Sequence, residues 1–158
     1  MLMVYLLIVL GIFALEYNLK NYTDSHRLQG AKEERFGGKL ILCNYQNSEG
    51  GFGIFKKNPQ LGVKISGVVL VCVIWEFVKA LFGGAAFLVK LGLSLVTGGG
   101  LSNYYDRVTK GYVTDYFSFG VKNKKLKNTV FNLSDFFIFI GAVLFVVGRV
   151  FAEFRRKS

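Results

Sequence analysis

The sequence predicts a mainly α membrane protein, with four transmembrane helices and a small extracellular β-sheet element. Three observations carry that prediction. Hydrophobic residues make up 52% of the 158 positions, with a single proline, which is too apolar for an ordinary soluble domain. The apolar residues fall into runs that accommodate about four spans of roughly 20 residues each. The charged residues gather between those runs, and the stretch from Gly98 to Asp135 sets three aspartates, Asp106, Asp115 and Asp135, at the mouths of two apolar segments. An ionisable group at or near hydrocarbon depth is costly, so a cluster at one level marks a functional site. One membrane-embedded domain, 1–158, is expected, with spans at roughly 1–20, 63–82, 85–102 and 133–151, an extracellular segment 21–62 and a loop 103–132.

The first apolar run is uninterrupted from Met1 to Leu15 and continues into Glu16, Tyr17, Asn18, Leu19 and Lys20. It has neither the basic n-region nor the small-residue cleavage site of a signal peptide, so a retained first helix is expected. Asn21 to Asn58 is the most polar part of the chain and holds its only histidine. His26 sits among Asp24, Ser25 and Arg27 with no second histidine or cysteine pair near it, and reads as a solvated loop residue rather than a metal ligand. Lys39 to Tyr45 is β-prone and is followed by Gln46 to Gly51 and then Phe52 to Phe55. A run, a glycine-containing connection and a second run predict a hairpin, whose turn Asn47 closes by bonding nearby backbone.

Ile65 to Leu101 is almost continuously apolar. One helix of that length would reach about 55 Å against a hydrocarbon core of about 30 Å, so the chain must turn back. Gly83-Gly84 marks the turn. Glu76 and Lys79 share a helix face beside Trp75, and Lys90 is long enough to reach the same interface, so these charges are anchors rather than catalysts. Gly98-Gly99-Gly100 lets helix backbones approach closely. Tyr116 to Val130 begins aromatic and becomes basic through Lys122, Lys124, Lys125 and Lys127, a composition suited to a loop at the headgroup surface. Phe136 to Phe151 is the last span. Cys43 and Cys72 form no CxxC and have no metal-ligand spacing, and both read as small buried hydrophobes. No metal or cofactor is expected. The net charge of +10 lies in loops between apolar runs, where anionic lipid headgroups are the partner it fits, and nucleic acid is not expected.

The residues of the long motif-bearing stretch resemble a known family. Ser102-Asn103-Tyr104-Tyr105-Asp106-Arg107, then Gly111-Tyr112-Val113-Thr114-Asp115, then Phe131-Asn132-Leu133-Ser134-Asp135 look like the three C-terminal motifs of signal peptidase II, in order and in position relative to the apolar runs. Leu15 to Lys20 is similar to that family's DQxxK-like motif with glutamate at Glu16 for aspartate and Tyr17 for glutamine. Asn47 to Phe52 is similar to its NxGAAF-like motif, with Glu49 for glycine and Gly50-Gly51 for two alanines. Ser102 and Ser134 also depart from the pattern, Ser134 standing where the family usually has alanine.

The resemblance implies an aspartic endopeptidase that removes signal peptides from diacylglyceryl-modified prolipoproteins, cutting on the amino side of the lipid-modified cysteine. It implies Asp115 and Asp135 as the catalytic dyad, with Asn103, Asp106, Arg107 and Asn132 in support. Asn47, Gly50 and Gly51 have two readings, a glycine-rich turn or a backbone cradle for the substrate peptide. Chemically, two carboxylates facing each other in a partly desolvated site cannot both ionise easily and share one proton. The ionised member then takes a proton from water while the protonated one bonds the scissile carbonyl. Asp135 alone reads as a helix cap before an apolar helix, and it is the ordered set that carries the functional reading. A non-catalytic paralogue or scaffold that binds lipidated peptides is the alternative, and Glu16, Tyr17, Glu49 and Ser102 keep it open.

Orientation divides the observations. By resemblance the protein lies in a bacterial cytoplasmic membrane as a monomer, with its active site toward the outer face and both termini cytoplasmic, and the basic tail from Arg155 to Lys157 agrees. Yet the two segments expected outside hold fourteen Lys and Arg, from Lys20 to Lys64 and from Arg107 to Lys127, against four from Arg149 onward. A bare positive-inside count would invert the protein. That count applies to short flanks, and lipidated substrate is presented at the outer face, so the outward site is the expectation.

Overall fold

The computed structural model describes residues 2–49, 58–121 and 123–157. In order, the elements are α1 (Leu2–His26), β1 (Lys32–Arg35), β2 (Leu40–Asn47), α2 (Pro59–Phe82), α3 (Phe87–Thr109), β3 (Val113–Phe119), the one-turn α4 (Lys124–Lys127) and α5 (Leu133–Lys157). The start of α2 is written in two residues. Asn58 accepts the Leu61 amide at 3.1 Å, and the chain's only proline, Pro59, takes a first-turn position where a missing N–H costs nothing. Gly83 ends α2 and Gly84 adopts φ 72°, which places the turn between α2 and α3 where the glycine pair predicts it.

α3 is the axis of the bundle, and α1, α2 and α5 all pack on it. Glycines allow the approach. A Cβ at Gly92 would stand 2.6 Å from the Gly141 carbonyl oxygen, one at Gly98 2.9 Å from Ile12 Cβ, and one at Gly99 2.7 Å from the Ser134 carbonyl oxygen. The Gly98–Gly100 run therefore brings the first turn of α5 directly onto α3. Because α3 is surrounded by protein, it carries a polar load along its length, with Ser94, Thr97, Ser102, Asn103 and Asp106 all buried. Among the described residues, three helices, Leu2–His26, Gln60–Phe82 and Leu133–Lys157, are long and apolar enough to cross a membrane. The protein is thus mainly helical and membrane-spanning with a small three-stranded sheet, while α3, apolar at its start and polar in its last turns from Ser102 to Thr109, is packed by the other helices.

Only the first arm of the expected hairpin falls among the described residues. That arm is β2, and its described partners are β1 upstream, with Lys32 opposite Cys43 and Arg35 opposite Leu40, and β3, with Leu40 opposite Phe119 and Asn47 opposite Val113, all antiparallel. Phe52–Phe55, with Gly50 and Gly51, lies outside the described residues. A register shift between Leu42 and Tyr45 bulges β2, and there Asn44 donates to the Arg27 carbonyl at 2.9 Å, tying the end of α1 to the sheet.

Other boundaries move for a common reason. α1 runs to His26 rather than ending near 20, and α3 runs to Thr109, so the expected loop 103–132 contains the last turns of a helix, β3 and α4. Polar residues that look like loop in the sequence stay helical because their side chains find tertiary partners. The aromatic start of the expected headgroup loop is β3, a run of β-branched and aromatic residues entered through Gly111 at φ 80°. His26 is exposed as expected, at the end of a helix rather than in a loop, with its ring stacked on Tyr22 at 4.3 Å. Cys43 is buried, but Cys72 is exposed on the outer face of α2 beside Val68, Val69, Val71 and Trp75, a correction to the expected pair of buried cysteines. Glu76 and Lys79 do pair on the α2 surface.

Candidate active site

Asn132-Leu133-Ser134-Asp135 starts α5 as a capping box. The Asp135 amide donates to Asn132 Oδ1 at 3.1 Å, and the Asn132 amide donates to Asp135 Oδ2 at 3.2 Å. Asp135 therefore sits inside the first turn, and Asn132 takes the capping position expected for the aspartate. The other oxygen of Asp135, Oδ1, accepts Asn103 Nδ2 at 3.2 Å.

β3 delivers the other carboxylate. Phe131 forms an antiparallel bridge with Phe117, donating to its carbonyl at 2.7 Å and accepting the Tyr116 and Phe117 amides at 2.9 and 3.1 Å. The rings of Phe117, Phe119, Phe131 and Phe136 pack with centroids 5.7–6.4 Å apart and hold this bridge against α5. The next residue, Asn132, thereby meets Asp115. Its Nδ2 donates to Asp115 Oδ1 at 2.6 Å, while Asn47 Nδ2 on β2 donates to Asp115 Oδ2 at 2.9 Å. One asparagine thus bonds both carboxylates, Asp115 through its side chain and Asp135 through its backbone.

Asp115 is 3% exposed. Burial, and after it the Asp135 carboxylate, push its pKa from 3.8 up to about 7 against the opposing bonds from Asn47 and Asn132. Asn47, Asn103, Arg107, Asp115 and Asp135 line a cavity of about 410 Å³ together with Val113, Val130, Phe131, Phe136 and Phe139. The lining thus combines polar groups, both acids among them, with apolar ones that include exposed Phe139. Such a site can hold an extended chain beside an apolar group and present it with an acid and a base.

Asp106 and Arg107 have different surroundings. Asp106 is buried, with Oδ2 accepting the Thr114 amide at 3.1 Å and lying 3.5 Å from Lys20 Nζ, and Oδ1 lying 3.0 Å from Lys110 Nζ. It ties the end of α3 to the residue before Asp115, whereas Arg107 faces the cavity. Gly50 and Gly51 lie outside the described residues.

Sequence reasoning undervalued a second, buried polar cluster. Glu16 and Lys20 are 0% and 1% exposed. Lys20 Nζ donates to Ser102 Oγ and Asn103 Oδ1, both at 2.8 Å, and Glu16 accepts from Tyr116 and Ser134. Burial and the Glu16 carboxylate push the Tyr116 phenol up, so it stays a donor. Asp24 accepts the Thr114 hydroxyl at 2.9 Å and pairs with Lys110 at 2.8 Å. The signal available was a Glu and a Lys four apart in an otherwise apolar helix, which must face protein rather than lipid.

Comparison with known proteins identifies relatives over most of the chain. The family model for signal peptidase II matches residues 8–151. The chain is 30% identical over 142 residues to a lipoprotein signal peptidase of Caldicellulosiruptor bescii, covering 90% of this chain and 87% of that protein. It is 28% identical over 146 residues to a lipoprotein signal peptidase of Streptococcus pneumoniae, covering 92% of each. A bacterial membrane enzyme solved by the in meso method at 2.3 Å resolution has the same fold, with a TM-score of 0.80 at 21% identity over 93% of this chain and 87% of that one.

Proposed function

The chain belongs to the signal peptidase II family, and from that premise we propose that Asp115 and Asp135 are the aspartic dyad with which it removes signal peptides from prolipoproteins. The observation that carries this reading is Asn132, which bonds both carboxylates lining the cavity. The pair holds one shared proton, which belongs to both acids rather than to either. The ionised member draws a proton from water as that water attacks the scissile carbonyl, and the protonated member bonds the carbonyl oxygen. Asn47 and Arg107 steady the peptide. The apolar lining takes the diacylglyceryl chains of the modified cysteine, and the cut falls on its amino side.

The whole chain acts as one membrane domain and as a monomer, with lipid around its outer helical faces. α3 is its fourth span. At 23 residues it reaches about 35 Å, enough for a hydrocarbon core of about 30 Å, and its polar side chains are kept from lipid by the three helices around it. Even crossings leave both termini on one side, in the cytoplasm, with the sheet and the dyad at the outer face. A C-terminal reporter that is active only when exported is expected to stay silent, and activity would invert this topology.

The purified protein, in detergent or lipid, is expected to release signal peptide from a lipid-modified prolipoprotein and to act far more slowly on the same polypeptide without the diacylglyceryl group. Equal rates on both would remove the lipid from the recognition, and tight binding without release would favour the scaffold reading.

A further inference from the structure

Glu16 is a buried acid that the proton transfers above do not use. Its Oε1 accepts the Tyr116 hydroxyl at 2.6 Å, and its Oε2 accepts the Ser134 amide at 3.1 Å and the Ser134 hydroxyl at 2.8 Å. Tyr116 follows Asp115 in β3, and Ser134 precedes Asp135 in α5. Tyr116 closes the circuit by accepting the Leu133 amide on its phenolic oxygen at 3.1 Å. A single carboxylate on α1 thus holds the neighbour of each dyad aspartate.

We propose that Glu16 is a positioning residue that sets the spacing of Asp115 and Asp135 through Tyr116 and Ser134, and that Glu16 and Ser134 work as a coupled pair. The inference rests on the dyad reading above. The two aspartates come from different elements, joined by the connection through α4, so backbone continuity alone does not hold them at bonding distance from one Asn132. The Leu133 and Ser134 amides are first-turn donors with no partner inside the helix, and the Tyr116–Glu16 strut takes both. A carboxylate at that end is also favoured by the helix dipole.

Reach matters as much as charge. An aspartate at position 16 would fall about 1.5 Å short while α1 stays seated, more than a hydrogen bond tolerates. Two of the residues at which the chain departs from the family resemblance, a longer acid at Glu16 and a hydroxyl at Ser134, meet each other at 2.8 Å. Groups in one bonded network are expected to show non-additive substitution effects.

The test uses the full-length protein and a lipid-modified prolipoprotein, with kcat, KM and melting temperature measured for each variant. A misplacement of about 1 Å costs on the order of 10²-fold in rate. Tyr116→Phe and Ser134→Ala, which keep shape and the Glu16–Lys20 pair, are expected to lower kcat about tenfold or more with KM within about twofold of the parent. Glu16→Asp is expected to fall further, and Glu16→Asp with Ser134→Ala to fall less than the product of the two single losses. Parental kcat in both Tyr116→Phe and Ser134→Ala overturns the proposal, as does a lowered melting temperature with unchanged kcat per folded molecule, or a rise in KM alone. Losses that simply multiply overturn the coupling. Should Asp115→Asn still cleave, the dyad itself falls; should it be dead while Tyr116→Phe is parental, only the positioning role falls.

Discussion

Asp115→Asn and Asp135→Asn are each expected to abolish signal-peptide release, by about 10²- to 10⁴-fold per group, with the double variant scarcely slower than either single one because the pair acts as a unit. Asparagine keeps the shape of aspartate and can bond, but it cannot take a proton from water near neutral pH. The two variants should differ in stability. Asn132 cannot turn its amide, since its oxygen caps the Asp135 amide, so an asparagine at 115 must present its oxygen to Asn132 and its amide to Asn47, which is able to turn. At 135 the new amide meets Asn103 Nδ2, and Asn103 cannot turn without abandoning buried Lys20, a cost of about 1–3 kcal/mol.

Asp115 adds a pH signature. Its folded pKa is raised from 3.8 to about 7, so the stability associated with its protonated form is fully present below about pH 4 and is lost as pH rises through about 7. Asp115→Asn removes that loss. Its melting temperature should therefore gain on the parent as pH rises from 4 to 8, with an upper bound on the order of 4 kcal/mol, and the gain should vanish near pH 4. Initial cleavage rate beside melting temperature across that range is the measurement. Retained cleavage in either single variant sinks the dyad.

Asp106→Asn is expected to fail differently, by loss of fold before loss of chemistry. The carboxylate faces Lys20 and Lys110 and accepts the Thr114 amide. Asparagine can keep the amide bond, but buried Lys20 and half-buried Lys110 each lose one of their counter-charges, and breaking a buried pair in this way costs about 3 kcal/mol. Glu16 and Asp24 remain to one lysine each, which holds the loss toward the low end of that class. Yield and melting temperature should fall clearly, while cleavage per folded molecule falls much less than in Asp115→Asn. A variant that is fully stable yet wholly inactive would move Asp106 into the chemistry.

Much of this site was legible because its chemistry sits in short local motifs. Asn132-Leu133-Ser134-Asp135 reads as a helix start from four residues, and only the assignment of the cap to Asp135 rather than Asn132 needed correction. Asp106 was legible only as a supporting residue through the resemblance, and its tie to the Thr114 amide came from the fold. Less legible was any feature whose partner lies far along the chain. β2 announced itself by composition, but its partners are set by which edges reach it, and β3 comes from what composition suggested was a headgroup loop. Tyr116 looked like one more interfacial aromatic, and only its contact with Glu16, 100 residues away, distinguishes it.

The sequence by itself determined the apolar spans, the glycines where helices meet, and the order of motifs that puts two aspartates near one membrane level. Those follow from hydropathy, from the missing side chain of glycine and from local capping, all of which act within a few residues. Tertiary structure alone decided that α3 lies at the centre, that Glu16 and Lys20 turn inward, and that one Asn132 spans Asp115 and Asp135. Burying a charge is tolerable only when its partners are already in place, and those partners come from α1, α3, β3 and α5 together, so no single stretch of the chain could announce the arrangement.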